Sequence, residues 1–128
     1  MTRQTGGSVV ESRLWQAAVE LIEASAESFA APPPDDLRDE LLAAVIRIAA
    51  SVTLGLEDPA DAGAIGHFAD ARRQLAHFAA RLHIACDRGI IGPAESQRLR
   101  GLVREVVDEV DIAAWEAKRR EIRRNAAG

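Results

Sequence analysis

The chain has one cysteine, Cys86, no tyrosine, and only two tryptophans and three phenylalanines among its 128 residues. A lone cysteine cannot close an internal disulfide, so no covalent framework supports the fold. Aromatics are 4% of the sequence, and much of the 48% hydrophobic content is alanine, a composition suited to close helix packing and not to β-structure. No N-terminal stretch joins basic residues to an apolar run, as a signal peptide requires. The longest apolar stretch, Leu41 to Leu56, is too short for a membrane span and is interrupted by Arg47, Ser51 and Thr53. The expectation is a cytoplasmic protein. Gly-rich phosphate loops, a Ser-His-Asp set and suitably placed paired carboxylates are also missing, so catalysis is not expected.

What is present is enough for one domain. At 13.8 kDa the chain can bury an ordinary core without disulfides or metals. The net charge of -4 is unevenly distributed: residues 1–60 hold 4 bases and 10 acids, or -6, and the remainder holds 12 and 10, or +2. An acidic front half and a more basic back half suit an oligomer with complementary faces, or a local anion site, better than a uniformly basic nucleic-acid binder.

Three punctuation marks divide the chain into four helices. Residues 1–8, through Gly6-Gly7, carry no pattern and are expected to be disordered. Ser8 or Ser12 can cap a first helix running to about Phe29, with Leu14, Ala18, Leu21, Ser25 and Phe29 at steps of three and four and Trp15, Val19 and Ile22 on an adjoining stripe. Pro32-Pro33-Pro34 stops it. Asp35 or Asp36 caps a second helix expected to reach Leu54, with Asp39 and Glu40 in the first turn, where the helix dipole favours acids. Leu37, Leu41, Val45, Ile48 and Val52 form one stripe, and Leu42, Ile46, Ala49 and Leu56 form a second. A surface helix of a monomeric bundle needs one apolar stripe, so the second implies a subunit contact or a central position, with Leu42, Ile46 and Ala49 the candidate interface residues.

Asp58-Pro59 signals the third helix, with Gly63 and Gly66 expected to delay regular structure to about Ile65. Phe68, Ala71, Leu75, Phe78, Leu82 and Ala85 then follow in a 3-4-3-4-3 seam, and Arg88-Gly89 with Ile90 reads as the C-terminal signature. Gly92-Pro93 opens the fourth helix, whose seam is Leu99, Val103, Val106, Val110, Ala113 and Ala117. Short connections make neighbours antiparallel, so the expected fold is an all-α, up-down four-helix bundle over residues 9–117, followed by a basic helix end over 118–128. A fourth helix reaching about Arg124 would be roughly 48 Å long against about 30 Å for the first, so its end is expected to overhang.

Few side chains offer chemistry. His67, His77 and His83 are ten and six residues apart and do not share a helix face, so no metal site emerges. His83 and Cys86 are close enough to meet but lack further ligands for zinc. Arg72 and His77 have the Arg-x4-His spacing of HEPN ribonucleases, where both side chains act on an RNA phosphate; the alternative is a solvated helix face. Lys118-Arg119-Arg120-Glu121-Ile122-Arg123-Arg124 holds five bases and one acid. The helix dipole alone favours bases there, and contact with nucleic acid or an acidic protein is the competing explanation.

Leu37 to Gly55, LRDELLAAVIRIAASVTLG, and Ala69 to Ile91, ADARRQLAHFAARLHIACDRGII, carry a family resemblance. With Ala71-Arg72, Leu75-Ala76 and Leu82-His83-Ile84-Ala85 in register, and Leu14-Trp15 and Ala114-Trp115 fitting more loosely, residues 10–117 resemble a family of bacterial four-helix bundles. These are the proteins of intervening sequences in large-subunit ribosomal RNA genes, together with the accessory variability determinants of diversity-generating retroelements. Ser51, Leu54, Arg73, Gln74 and His77 replace the polar patch of the ribosomal branch, and the retroelement branch tolerates those positions better. The resemblance implies a ring-forming homo-oligomer, typically a pentamer, without enzymatic activity or cofactor. In the retroelement branch it implies a reverse transcriptase and RNA as partners, bound through a basic surface. The residues that would contact phosphates here are Arg72, Arg73, Arg81, Lys118, Arg119, Arg120, Arg123 and Arg124.

Overall fold

A computed structural model of the chain describes residues 12–29 and 35–128. They form four helices: α1 (Arg13–Phe29), α2 (Asp36–Glu57), α3 (Asp61–Asp87) and α4 (Pro93–Ala127). No strand occurs among the described residues. The expected disordered segment 1–8, the alternative cap Ser8 and the proline stop at 32–34 lie outside them.

Local chemistry explains most of the helix ends. The Ser12 hydroxyl accepts from the backbone N–H groups of Leu14 at 3.1 Å and Trp15 at 3.3 Å, supplying partners for two groups the helix cannot satisfy itself. Asp35 caps α2 in the same way, accepting from Leu37 at 2.8 Å and Arg38 at 3.4 Å. Gly89, at φ +75°, occupies the left-handed position after α3; Ile90 N–H reaches Ala85 O at 2.9 Å and Gly89 N–H reaches Cys86 O at 3.0 Å. This paired closure satisfies carbonyls that the end of α3 would leave open. Pro93 occupies the first helical position of α4, where its missing N–H has no consequence.

Two boundaries differ from the sequence expectation. Helix α2 continues past Leu54 to Glu57, and Gly55 sits inside it because a β-carbon there would come within 2.5 Å of the Phe68 ring. The glycine costs about 1 kcal/mol of helix propensity, and in exchange α2 and α3 approach closely. Helix α3 begins at Asp61, not near Ile65. A β-carbon at Gly63 would overlap the Asp58 carboxylate, which folds over the start of the helix and accepts from Ala60 N–H at 2.9 Å. Gly63 therefore accommodates the turn and does not delay the helix.

Helices that are neighbours in the ring α1–α2–α3–α4 pack against each other, and α4 closes back onto α1. Cross-helix partners follow one order. Along α2 and α3, Arg38 meets Ile90, Glu40 meets Arg81 and Ser51 meets Gln74, so one number rises as the other falls. Asp61–Arg120, Arg72–Asp111 and His83–Arg100 do the same for α3 and α4. Between α1 and α4, Glu27 meets Arg98, while Gln16 and Asp108 line one cleft. In these three pairs one residue number rises as the other falls, and α2 and α4 occupy opposite corners.

The core follows the apolar spacing. Leu14, Ala18, Leu21, Ser25 and Phe29 of α1, Leu37, Leu41, Val45, Ile48 and Val52 of α2, and every seam position of α3 from Phe68 to Ala85 are buried. Helix α4 contributes Leu99, Val103, Val106, Val110 and Ala117, with Ala113 half-buried. Burial of a side chain such as Leu21, Leu75 or Phe78 contributes about 1.5–3 kcal/mol. The described part of α1 begins level with Ile112 and Ala113, which share a cleft with Ser12 and Arg13. Beyond that level α4 continues unbroken to Ala127, against the start of α3.

Candidate functional site

The expected basic surface is divided. Arg120 and Arg124, one turn apart on α4, both turn toward Asp61, the first residue of α3; Arg120 Nε lies 3.1 Å from Oδ1 and an Arg124 guanidinium nitrogen 2.5 Å from Oδ2. Asp61 is only 7% exposed. The hydrogen bond from Arg124 does most to hold its carboxyl below the usual range, with Arg120 adding to the shift and desolvation opposing it. The free N–H groups at the start of α3 favour the same charge. Either arginine leaving would expose a buried carboxylate to the loss of a partner, so both are structural here.

Arg72, Arg73 and Arg81 do not extend that surface. Arg72 Nε donates to Asp111 at 3.2 Å on the α4 side of α3, whereas Arg81 lies 3.9 Å from Glu40 on the α2 side. Arg73 pairs along its own helix with Asp70. These pairs are about half-exposed and contribute little, about 0–1 kcal/mol each. Their placement on opposite flanks of α3 matters more than their strength. Lys118, Arg119 and Arg123 are exposed and carry no ion pair among the described residues.

The other titratable candidates stay apart. Arg72 and His77 are both exposed on α3, and Arg72 is engaged with Asp111. His67 faces Asp58 at 3.7 Å, and His83 lies between Asp87 at 3.5 Å and Arg100 at 3.3 Å. Cys86 packs half-buried against the core. Among the described residues no group of three or more His, Cys, Asp or Glu could hold a metal ion, and no helix is long and apolar enough to cross a membrane.

Apolar surface is the more distinctive feature. Of the expected interface residues, Ile46 is 60% exposed, while Leu42 and Ala49 are half-buried, with Leu42 packed against the core. The open face of α2 is Ala43, Ile46, Ala50 and Leu54, at steps of three and four, with Leu54 52% exposed. On the opposite corner, α4 presents Ile112 at 50%, Trp115 at 59% and Ile122 at 58%, interleaved with Lys118, Arg119 and Arg123. The α4 face was not anticipated from the sequence, although the steps from Ile112 to Trp115 and from Trp115 to Ile122 place all three opposite the seam. Comparison with protein-family models, curated proteins and solved structures finds no match to the chain.

Proposed function

We propose that the protein is a non-enzymatic helical-bundle adaptor that works as a homo-oligomer. The observation that carries this reading is the outer face of α2, where Ala43, Ile46, Ala50 and Leu54 are apolar and exposed, with Arg47 the one charged residue among them. A helix with one buried stripe needs no apolar residues on its far side, and such a face loses less free energy to water when another surface covers it. The sequence resemblance to ring-forming bundles supports a pentamer in particular.

Ile46→Asp tests the reading. It is expected to lower the mass of the assembly, because a carboxylate in a covered apolar contact must be desolvated. Ile84→Asp, at a comparably exposed position on α3, is expected to leave the mass unchanged. Equal effects from both substitutions would remove the α2 face from the account.

A second reading rests on Lys118, Arg119 and Arg123, which have no acidic partner among the described residues. Repeated once per subunit, they would give a ring a multivalent surface for nucleic acid or for a reverse transcriptase carrying RNA, as the resemblance to retroelement accessory proteins implies. Binding that weakens with salt, and a shallower salt slope when these residues become Gln, would favour it.

A further inference from the structure

We propose that the assembly is head-to-tail, with the outer face of α2 in one copy covered by the outer face of the C-terminal half of α4 in the next. The inference rests on the self-assembly reading and names the surface that the α2 face meets. Both faces are exposed and apolar: Ala43, Ile46, Ala50 and Leu54 on one, Ile112, Trp115 and Ile122 on the other. They lie on opposite corners of the bundle, so one copy can use both at once.

Charge identifies the occupant. The α2 face is bounded by exposed Asp39 at one end and Glu57 at the other, and neither has an ion pair among the described residues. The α4 face holds Lys118, Arg119 and Arg123, exposed and equally unpaired. Elsewhere the arginines Arg72, Arg73, Arg81, Arg98, Arg120 and Arg124 are matched to acids within the same chain. The one base beside the α2 face, Arg47, has a counterpart in Asp108, one turn ahead of Ile112. The α2 face is net acidic even with Arg47, and the α4 face is net basic even with exposed Asp108 and Glu116, so the mixed contact sets unlike net charges around an apolar centre, which neither contact between like faces does. A second copy of this chain supplies that contact without any other partner. Contacts between unlike faces of identical subunits form rings when the rotation closes and filaments when it does not.

Two variants separate this arrangement from the alternatives. Ile46→Asp removes the α2 face and leaves the α4 face; Trp115→Asp does the reverse. Both positions are more than half exposed, so each variant is expected to keep its helicity, checked by circular dichroism. Each variant alone should be monomeric by light scattering at a concentration where the wild type is oligomeric. Mixed in equal amounts, they should form a dimer at twice 13.8 kDa and stop there, because the one intact pair of faces is then used up. A Trp115→Asp variant that keeps the wild-type mass, or two monomeric variants that remain monomeric when mixed, would overturn the head-to-tail contact while leaving self-assembly standing. A monomeric wild type would overturn both. Full assembly of the wild type only after addition of RNA would assign Lys118, Arg119 and Arg123 to phosphate contact instead.

Discussion

Arg124 on α4 and Asp61 at the start of α3 are 63 residues apart in the chain and 2.5 Å apart in the fold. With Arg120 on the other carboxylate oxygen, they fasten the last turns of α4 to the beginning of α3. The basic run that would be an open cationic surface in an isolated helix is thereby split: two of its bases hold a buried acid, and three face outward.

This clamp gives stability a predictable pH dependence. The folded state lowers the Asp61 pKa below its ordinary value of 3.8, so the unfolded chain takes up the proton first as pH falls. Its contribution is fully present above that ordinary value and is lost as pH descends through the folded value. Thermal unfolding should therefore show wild type more stable than Asp61→Asn at neutral pH, with the gap narrowing below pH 3.8. A gap that stays constant down to the acid limit would mean the ionised carboxylate contributes nothing.

Two glycine substitutions should move stability in opposite directions. Gly55→Ala places a β-carbon 2.5 Å from the Phe68 ring, an overpacking expected to destabilise by about 1–3 kcal/mol. Gly101→Ala, in α4 with nothing within 4 Å of the added carbon, should stabilise by about 0.5–1 kcal/mol through helix propensity. Urea denaturation of both variants measures the two signs; a stabilising Gly55→Ala would show that α2 and α3 do not approach as closely as described.

The seams and caps were legible in the sequence because they are local. Steps of three and four placed Phe68 through Ala85 and Leu99 through Val110 in the core, and Asp35 and Gly89 marked helix ends. What escaped depends on residues far apart. The end of α2 and the start of α3 were misplaced because both depend on contacts across the turn: Gly55 lets α2 continue against the Phe68 ring, and Gly63, expected to delay the helix, makes room for the Asp58 carboxylate. Leu42, Ala49 and Leu56 read as one outward stripe with Ile46, but flanking helices half-cover the first three and open Leu54 instead. The basic residues read as one group since a sequence cannot show that Arg72 and Arg81 lie on opposite flanks of α3, or that Asp61 takes two of the rest.

Nucleic-acid binding should be absent at physiological ionic strength if the outward bases serve subunit contact. Titration of RNA and DNA across a salt series checks this. Should binding be found, Lys118→Gln with Arg119→Gln and Arg123→Gln would reduce the salt slope by roughly three on duplex DNA if each base contacts one phosphate. Such a change would replace the subunit-contact assignment.

RNA hydrolysis is also expected to be absent. Arg72 is held by Asp111, and His77 has no acidic or basic partner among the described residues. Incubation with mixed RNA should leave it intact; cleavage abolished by His77→Ala would make the protein a nuclease.

The most direct measurement of the central claim is the absolute mass of the wild-type protein by light scattering across a concentration series. The account predicts a multiple of 13.8 kDa at micromolar concentration, five-fold for the pentamer, falling to 13.8 kDa in Ile46→Asp. A wild-type mass of 13.8 kDa throughout that range would contradict it.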